Sequence, residues 1–263
     1  MEDWNVYKDP RQYYYGTYVQ ARAKLQEVTE SNYAFFEKRG LAERMSEEVR
    51  AKIIRCLVPL RHAELGANMN NMFAFSNGTA TVVNQGFLYH SMDRLGIAQY
   101  LSRIGLLLDG NSTESLTTAK EFWMTDPVWQ GLRRYIENLL CVEDWFEVFI
   151  AQDVVLDTLV YDLIYRQFDE SITEQGGSDL AMLIEFMQEW HKDSSRWVDA
   201  TLKTTVGESE HNRETINRWV ADWQEKAIAD LAPLAEIAVG DGAMDTCVEV
   251  LNKRLAKAGL QGS

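Results

Sequence analysis

The chain has 263 residues, 46% of them hydrophobic, 25% charged, with only four prolines and three cysteines. That length allows one large domain or two small ones, and the composition excludes a disordered, collagen-like or disulfide-stapled protein. Twenty-six Lys and Arg against 40 Asp and Glu leave a net charge of −14, which disfavours nucleic acid and anionic membrane surfaces as partners, because both need a basic face.

Cys56, Cys141 and Cys247 are far apart and form no CxxC pair, so neither a zinc knuckle nor a redox dithiol is expected. The opening MEDWNVYKDP lacks the basic and apolar regions of a secretory signal. The most apolar stretch, 145–165, is interrupted by Glu147, Asp153, Asp157 and Asp162, so it reads as a buried helix rather than a membrane span. The expectation is a soluble, cytoplasmic, reduced protein.

Helical periodicity runs through nearly every segment. Asp9-Pro10 offers an N-cap and a first-turn proline for a helix reaching Gly40, and Ser46-Glu47-Glu48 opens a second. Pro59 is expected to kink that second helix. After Ser76-Asn77-Gly78 a third helix extends from about Thr79 to Leu108. Gly86, Gly96 and Gly105 lie inside it, which suggests that a neighbouring backbone crosses closely. Residues 112–123 form a short helix, and Asp126-Pro127 starts another running to about Leu140. The segment 143–168, apolar on most faces, is placed centrally, and Gly176-Gly177 ends it. Ser178 begins a helix carrying Leu183, Met187, Trp190, Trp197 and Val198 on one side. A further stripe of Ile216, Trp219, Val220, Trp223, Ile228, Leu231 and Leu234 follows, then a last helix over 243–258. No alternation typical of strands is present. The reading is all-α: residues 1–263 as a single domain of long antiparallel helices.

Long helices with inward carboxylates raise the question of a di-iron centre, which needs one Glu from each of two helices and Glu-x-x-His from each of two others. The histidines are His62, His90, His191 and His211, and the residues three before them are Pro59, Phe87, Gln188 and Glu208. Only Glu208-x-x-His211 passes, inside the polar stretch GESEHNRE, where it reads as a surface coincidence. No metal site is expected in this chain. Asp153 and Asp157, at i and i+4, are expected to pair with arginines or cap neighbouring helices rather than act as an acid–base pair. Arg61, His62, Glu64, Asn68, Asn70 and Asn71 make 59–71 unusually polar for a core helix, which points to a buried network or a subunit interface. Tyr13-Tyr14-Tyr15 would sweep about 200° of a helix and cannot all face one core, so a partner is implied. No catalytic residue is evident.

DPRQYYYGTY (9–18), VPLRHAELGANMNN (58–71), MDRLGIAQYLSRI (92–104), EFMQEWHKDSSRW (185–197) and GESEHNRETINRW (207–219) together resemble the β subunit of bacterial multicomponent phenol hydroxylases, within the wider family of di-iron aromatic monooxygenases. The resemblance runs along nearly the whole chain. It implies a ferritin-like helical bundle without metal, beside an α subunit that carries the di-iron centre. A small γ subunit completes a dimer of αβγ trimers, a reductase with FAD and an iron–sulfur cluster brings electrons from NADH, and a regulatory protein couples the steps. The implied reaction converts phenol, O2 and NADH to catechol, water and NAD+. Family members usually carry a further N-terminal arm before the position of Met1, so that arm is expected to be absent or truncated here. Tyr13, Tyr14, Tyr15, Arg61, His62, Glu64, Asn68, Asp93 and Arg94 are the residues expected at the interface or in a buried network. The rival readings are a self-contained di-iron oxygenase and a helical adaptor unrelated to oxygenation.

Overall fold

A computed structural model describes residues 1–261. Among the described residues there is no strand. Among the same residues no helix is long and apolar enough to cross a membrane.

The first long helix, α1 (Tyr15–Lys38), begins five residues later than Asp9-Pro10 suggests. Asp9 does cap, but it closes only a turn: its Oδ1 accepts from Arg11 N at 2.8 Å. Gln12 then takes a left-handed φ of 53°, which an L residue resists and which no helix can continue. Tyr14 is therefore the N-cap, and Thr17 Oγ1 accepts from its backbone N–H at 3.0 Å. Gly40, at φ 58°, follows the end of α1 as expected.

Two short helices come next, α2 (Leu41–Arg44) and α3 (Glu47–Cys56), with Ser46 Oγ capping Val49 N. Pro59 does not kink a helix but separates two. Its ring and missing N–H suit a helix start, and α4 (Leu60–Asn77) begins immediately after it. The hairpin partner of α4 is α5 (Thr81–Leu108). Helices α6 (Glu114–Thr125) and α7 (Pro127–Leu139) follow, α7 opening at Pro127 with Asp126 Oδ1 on Val128 N at 3.0 Å.

The apolar segment forms one continuous helical rod from Trp145 to Glu174. It comprises α8 (Trp145–Phe149), a π-helical stretch (Ile150–Leu156), α9 (Asp157–Asp162), a second π stretch (Leu163–Phe168) and α10 (Asp169–Glu174). Every residue from Phe149 to Tyr161 is buried. Each large apolar side chain in it contributes about 2 kcal/mol by leaving water, and the rod is accordingly ringed by α4, α11 (Leu180–Glu208), α12 (Glu210–Ala238) and α13 (Ala243–Lys257). Most of the buried apolar residues form one continuous cluster.

The three glycines of α5 do not mark a crossing backbone. A Cβ on Gly86 would overlap the indole of Trp197, one on Gly105 would press on the side chains of Leu116, Ser115 and Val58, and Gly96 faces open space. The close backbone approach lies elsewhere, where a Cβ on Gly131 of α7 would overlap the main chain of Asp230 in α12.

Candidate functional site

The centre of the bundle holds an ionic cluster delivered by three elements. Helix α5 supplies His90 and Arg94, which share a face at i, i+4. The rod supplies Asp153 from its first π stretch and Asp157 from the start of α9, again four residues apart. Helix α4 supplies Glu64. All five are buried.

Arg94 links them. Its Nη1 donates to Glu64 Oε2 at 3.0 Å, and its Nη2 donates to Asp157 Oδ2. The same Nη2 lies 3.1 Å from His90 Nε2 and 3.7 Å from Asp153 Oδ1. His90 Nε2 in turn stands 3.2 Å from Asp153 Oδ1 and 3.7 Å from Asp157 Oδ2. The ligating atoms of His90, Asp153 and Asp157 all lie within 4.8 Å of one another. Neighbouring amides complete the shell: Asn71 Nδ2 donates to Asp153 at 3.0 Å, Gln152 Nε2 to Asp157 at 3.0 Å, and Asn70 Nδ2 to Gln152 Oε1 at 2.9 Å. Tyr161 OH reaches Glu64 Oε1 at 3.3 Å, and the Trp190 ring lies 4.7 Å from the guanidinium carbon.

Burial in low dielectric penalises every charge here, so the charges must be matched. For Arg94, Asp157 and Glu64 outweigh that penalty and hold the guanidinium well above its ordinary value. Asp157, although desolvated, is held down to about 2 by Arg94 and then by His90. His90 is also raised: desolvation and Arg94 oppose its charge, but Asp153 and Asp157 together outweigh them. Glu64 moves upward, chiefly through burial, against the pull of Arg94. Both upward shifts reduce the net negative charge of three carboxylates facing one guanidinium.

A second cluster sits beside the first, because Asp93 leaves α5 about 100° round from Arg94. Asp93 Oδ1 accepts from Tyr18 OH at 2.8 Å and Arg22 Nε at 2.9 Å. Its Oδ2 accepts from Arg22 Nη2 at 2.8 Å and Trp190 Nε1 at 2.7 Å. Arg22 also bonds Asp193, and Tyr13 OH donates to Asp193 at 3.0 Å. This ties the segment before α1 to α5 and α11.

The remaining residues singled out from sequence divide between inside and outside. Glu64, Asp93 and Arg94 lie in the two buried clusters, and Asn68 Nδ2 donates to Ser91 O at 2.8 Å across the α4–α5 hairpin. Arg61 and His62 are half-buried against α6, with Arg61 Nη2 on Leu116 O at 2.8 Å and the His62 ring stacked on Trp123. Tyr14 and Tyr15 are 63% and 65% exposed. The three tyrosines do not sweep one helix, since only Tyr15 lies in α1. Glu208 and His211 are separated by the break at Ser209 between α11 and α12, and both are exposed.

Sequence reasoning missed His90 because the test looked three residues upstream, where Phe87 stands. The usable signal was two i, i+4 pairs, His90/Arg94 and Asp153/Asp157, on adjacent helices.

Comparison with known proteins agrees with this architecture. Residues 1–209 match the family described as Methane/Phenol/Alkene Hydroxylase. The oxygenase component DmpL of phenol 2-monooxygenase from Pseudomonas sp. (strain CF600) is 53% identical, over 99% of this chain and 79% of that protein. The hydroxylase component subunit beta of the toluene-4-monooxygenase system from Ectopseudomonas mendocina is 24% identical, over 90% of this chain and 72% of the other. The crystal structure of phenol hydroxylase from Pseudomonas sp. OX1 superposes with a TM-score of 0.97 at 47% identity, covering 99% of this chain and 80% of that one. By sequence and by fold, the chain belongs to the methane/phenol/alkene hydroxylase family.

Proposed function

We propose that this chain is the non-catalytic β subunit of a multicomponent phenol hydroxylase, which supports a separate di-iron α subunit in the O2- and NADH-dependent conversion of phenol to catechol. The observation that carries this reading is Arg94. Its guanidinium fills the middle of the bundle and engages Glu64 and Asp157, with Asp153 3.7 Å away, where a ferritin-like oxygenase would need open metal positions. A small γ subunit, a reductase with FAD and an iron–sulfur cluster, and a regulatory protein complete the system in this reading.

The role left to the chain is to hold its partner. Leu65, Met69 and Met72 form an exposed i, i+4, i+7 stripe on α4, and Met92 and Leu95 are exposed on α5. The two helices lie side by side, with Glu64 against Arg94 and Asn68 beside Ser91. Exposed apolar side chains on both favour a protein partner, and Tyr14 and Tyr15 add exposed aromatic surface.

Two measurements test the reading. Iron in the chain expressed alone in iron-replete cells is expected near zero; a content of about two irons per chain would make this chain the catalyst. Replacing Tyr14 or Tyr15 with Asp is expected to weaken co-elution with the α subunit on a sizing column. Unchanged assembly for both variants would remove the tyrosines from the interface.

A further inference from the structure

The central cluster matches the charge of Arg94 but leaves some of its hydrogen-bonding groups unserved. A guanidinium offers five N–H donors in a planar fork, yet Arg94 Nε is buried without a partner. His90 Nε2 lies between two neighbours with opposite demands: a proton on it serves Asp153 Oδ1 at 3.2 Å, whereas a lone pair on it serves Arg94 Nη2 at 3.1 Å. One ring nitrogen cannot do both. When it is protonated, two N–H groups point at each other inside the bundle. Asn71 Oδ1 is a further buried oxygen with no partner, on the residue whose amide already holds Asp153.

A spherical cation at the same place removes the conflicts at Arg94 and at His90 Nε2. It takes the His90 Nε2 lone pair directly and needs no N–H geometry. Metal–ligand bonds of about 2.1 Å place neighbouring ligand atoms about 3.0 to 3.4 Å apart in octahedral or tetrahedral arrangements. The separation from His90 Nε2 to Asp153 Oδ1, 3.2 Å, falls in that range, and Asp157 Oδ2, at 3.7 Å, stands just outside it with the guanidinium in place. Arg94 Nη2 contacts Asp157 and faces both other residues, so it stands at the point on which the three converge. Glu64, held by Nη1 at 3.0 Å, is the adjacent oxygen donor.

We propose that the centre of this bundle is a divalent-metal site closed by the chain's own Arg94. When the guanidinium is removed, His90, Asp153 and Asp157, with Glu64 alongside, bind one transition-metal dication per chain. One imidazole with carboxylates suits Co2+, Zn2+, Mn2+ or Fe2+. In the native chain Arg94 supplies the positive charge and keeps such ions out. The inference rests on this geometry alone and stands whether or not the chain is a β subunit.

The test uses the full-length chain, stripped with EDTA and titrated with Co2+, in wild type, Arg94→Ala and Arg94→Gln. Both variants vacate the Nη positions. They are expected to bind one Co2+ per chain, with a ligand-field absorption absent from wild type, and to regain thermal stability on metal addition. Adding Asp153→Asn to either variant is expected to weaken binding at least tenfold. Because removal of Arg94 leaves buried carboxylates unmatched, the variants are also expressed with Co2+ or Zn2+ in the medium, where the metal is expected to restore soluble protein. Folded variants that take up no Co2+, binding unchanged by Asp153→Asn, equal binding by wild type, or insolubility of both variants even with metal would each overturn the proposal.

Discussion

Replacing Asp93 with Ala tests the energetic account of the second cluster most directly. The carboxylate is 6% exposed and takes four hydrogen bonds, two of them a bidentate pair with Arg22. Removing one partner of a buried ion pair costs about 3–5 kcal/mol, because the other charge stays behind. The lower end applies here, since Arg22 retains Asp193 at 3.1 Å and its side chain is 15% exposed. The Trp190 N–H, on a fully buried indole, is then left without an acceptor, at about 1–2 kcal/mol. Tyr18 OH loses less, because Tyr89 O stands 3.5 Å away as an alternative. The sum is about 4 kcal/mol. Asp193→Ala, by contrast, removes a partly exposed carboxylate while Arg22 keeps its bidentate partner, and should cost no more than about 1 kcal/mol. Urea unfolding followed by far-ultraviolet circular dichroism measures both differences. An Asp93→Ala cost below about 1 kcal/mol, or equal costs at the two positions, would refute the account.

Further outcomes follow from particular contacts. Gly86→Ala should destabilise the chain by about 2 kcal/mol, because its Cβ meets the fully buried Trp197, whereas Gly96→Ala on the same helix, facing open space, should stabilise it by about 0.5–1 kcal/mol; thermal melts distinguish the signs. Gly131→Ala should cost about 3 kcal/mol or more, since main chain rather than side chain must move. Stability should fall as pH drops below about 6.5. Burial, aided by neighbouring cations, holds His62 down to about 4 and His191 to about 3, so the unfolded chain binds protons that the folded chain refuses. His90, with its raised value, acts in the opposite sense, its contribution being lost as pH rises through its folded value. The lowered Asp157 contributes stability that disappears between about pH 4 and 2. His191→Gln should flatten the decline between pH 6.5 and 4 in melts taken across that range, and an unchanged slope would remove His191 from the account.

Features set by local chemistry were legible before any coordinates. Asp126-Pro127 and Ser46 cap helices where their side chains suggest, because an N-cap bond spans only two or three residues. The placement of the apolar rod was legible too, since a helix without a polar face has nowhere to go but the middle. The same local reasoning misplaced the start of α1, because Asp9 closes an isolated turn as readily as a helix and nothing in the sequence marks Gln12 as left-handed. It also assigned the α5 glycines to a backbone crossing when Gly86 makes room for an indole 111 positions further along the chain.

The sequence by itself determined the class of the protein: helices of known hand and period, a polar surface, and an apolar rod that others must cover. Those outcomes depend on hydrogen bonds and hydrophobic faces that repeat within a few residues. Only the tertiary structure decided that Arg94, which follows directly on Asp93, turns inward to Glu64, His90, Asp153 and Asp157 while Asp93 turns toward Arg22 and Trp190. Consecutive residues on a helix point about 100° apart. Which charge each one meets therefore depends on the helices that pack against either side.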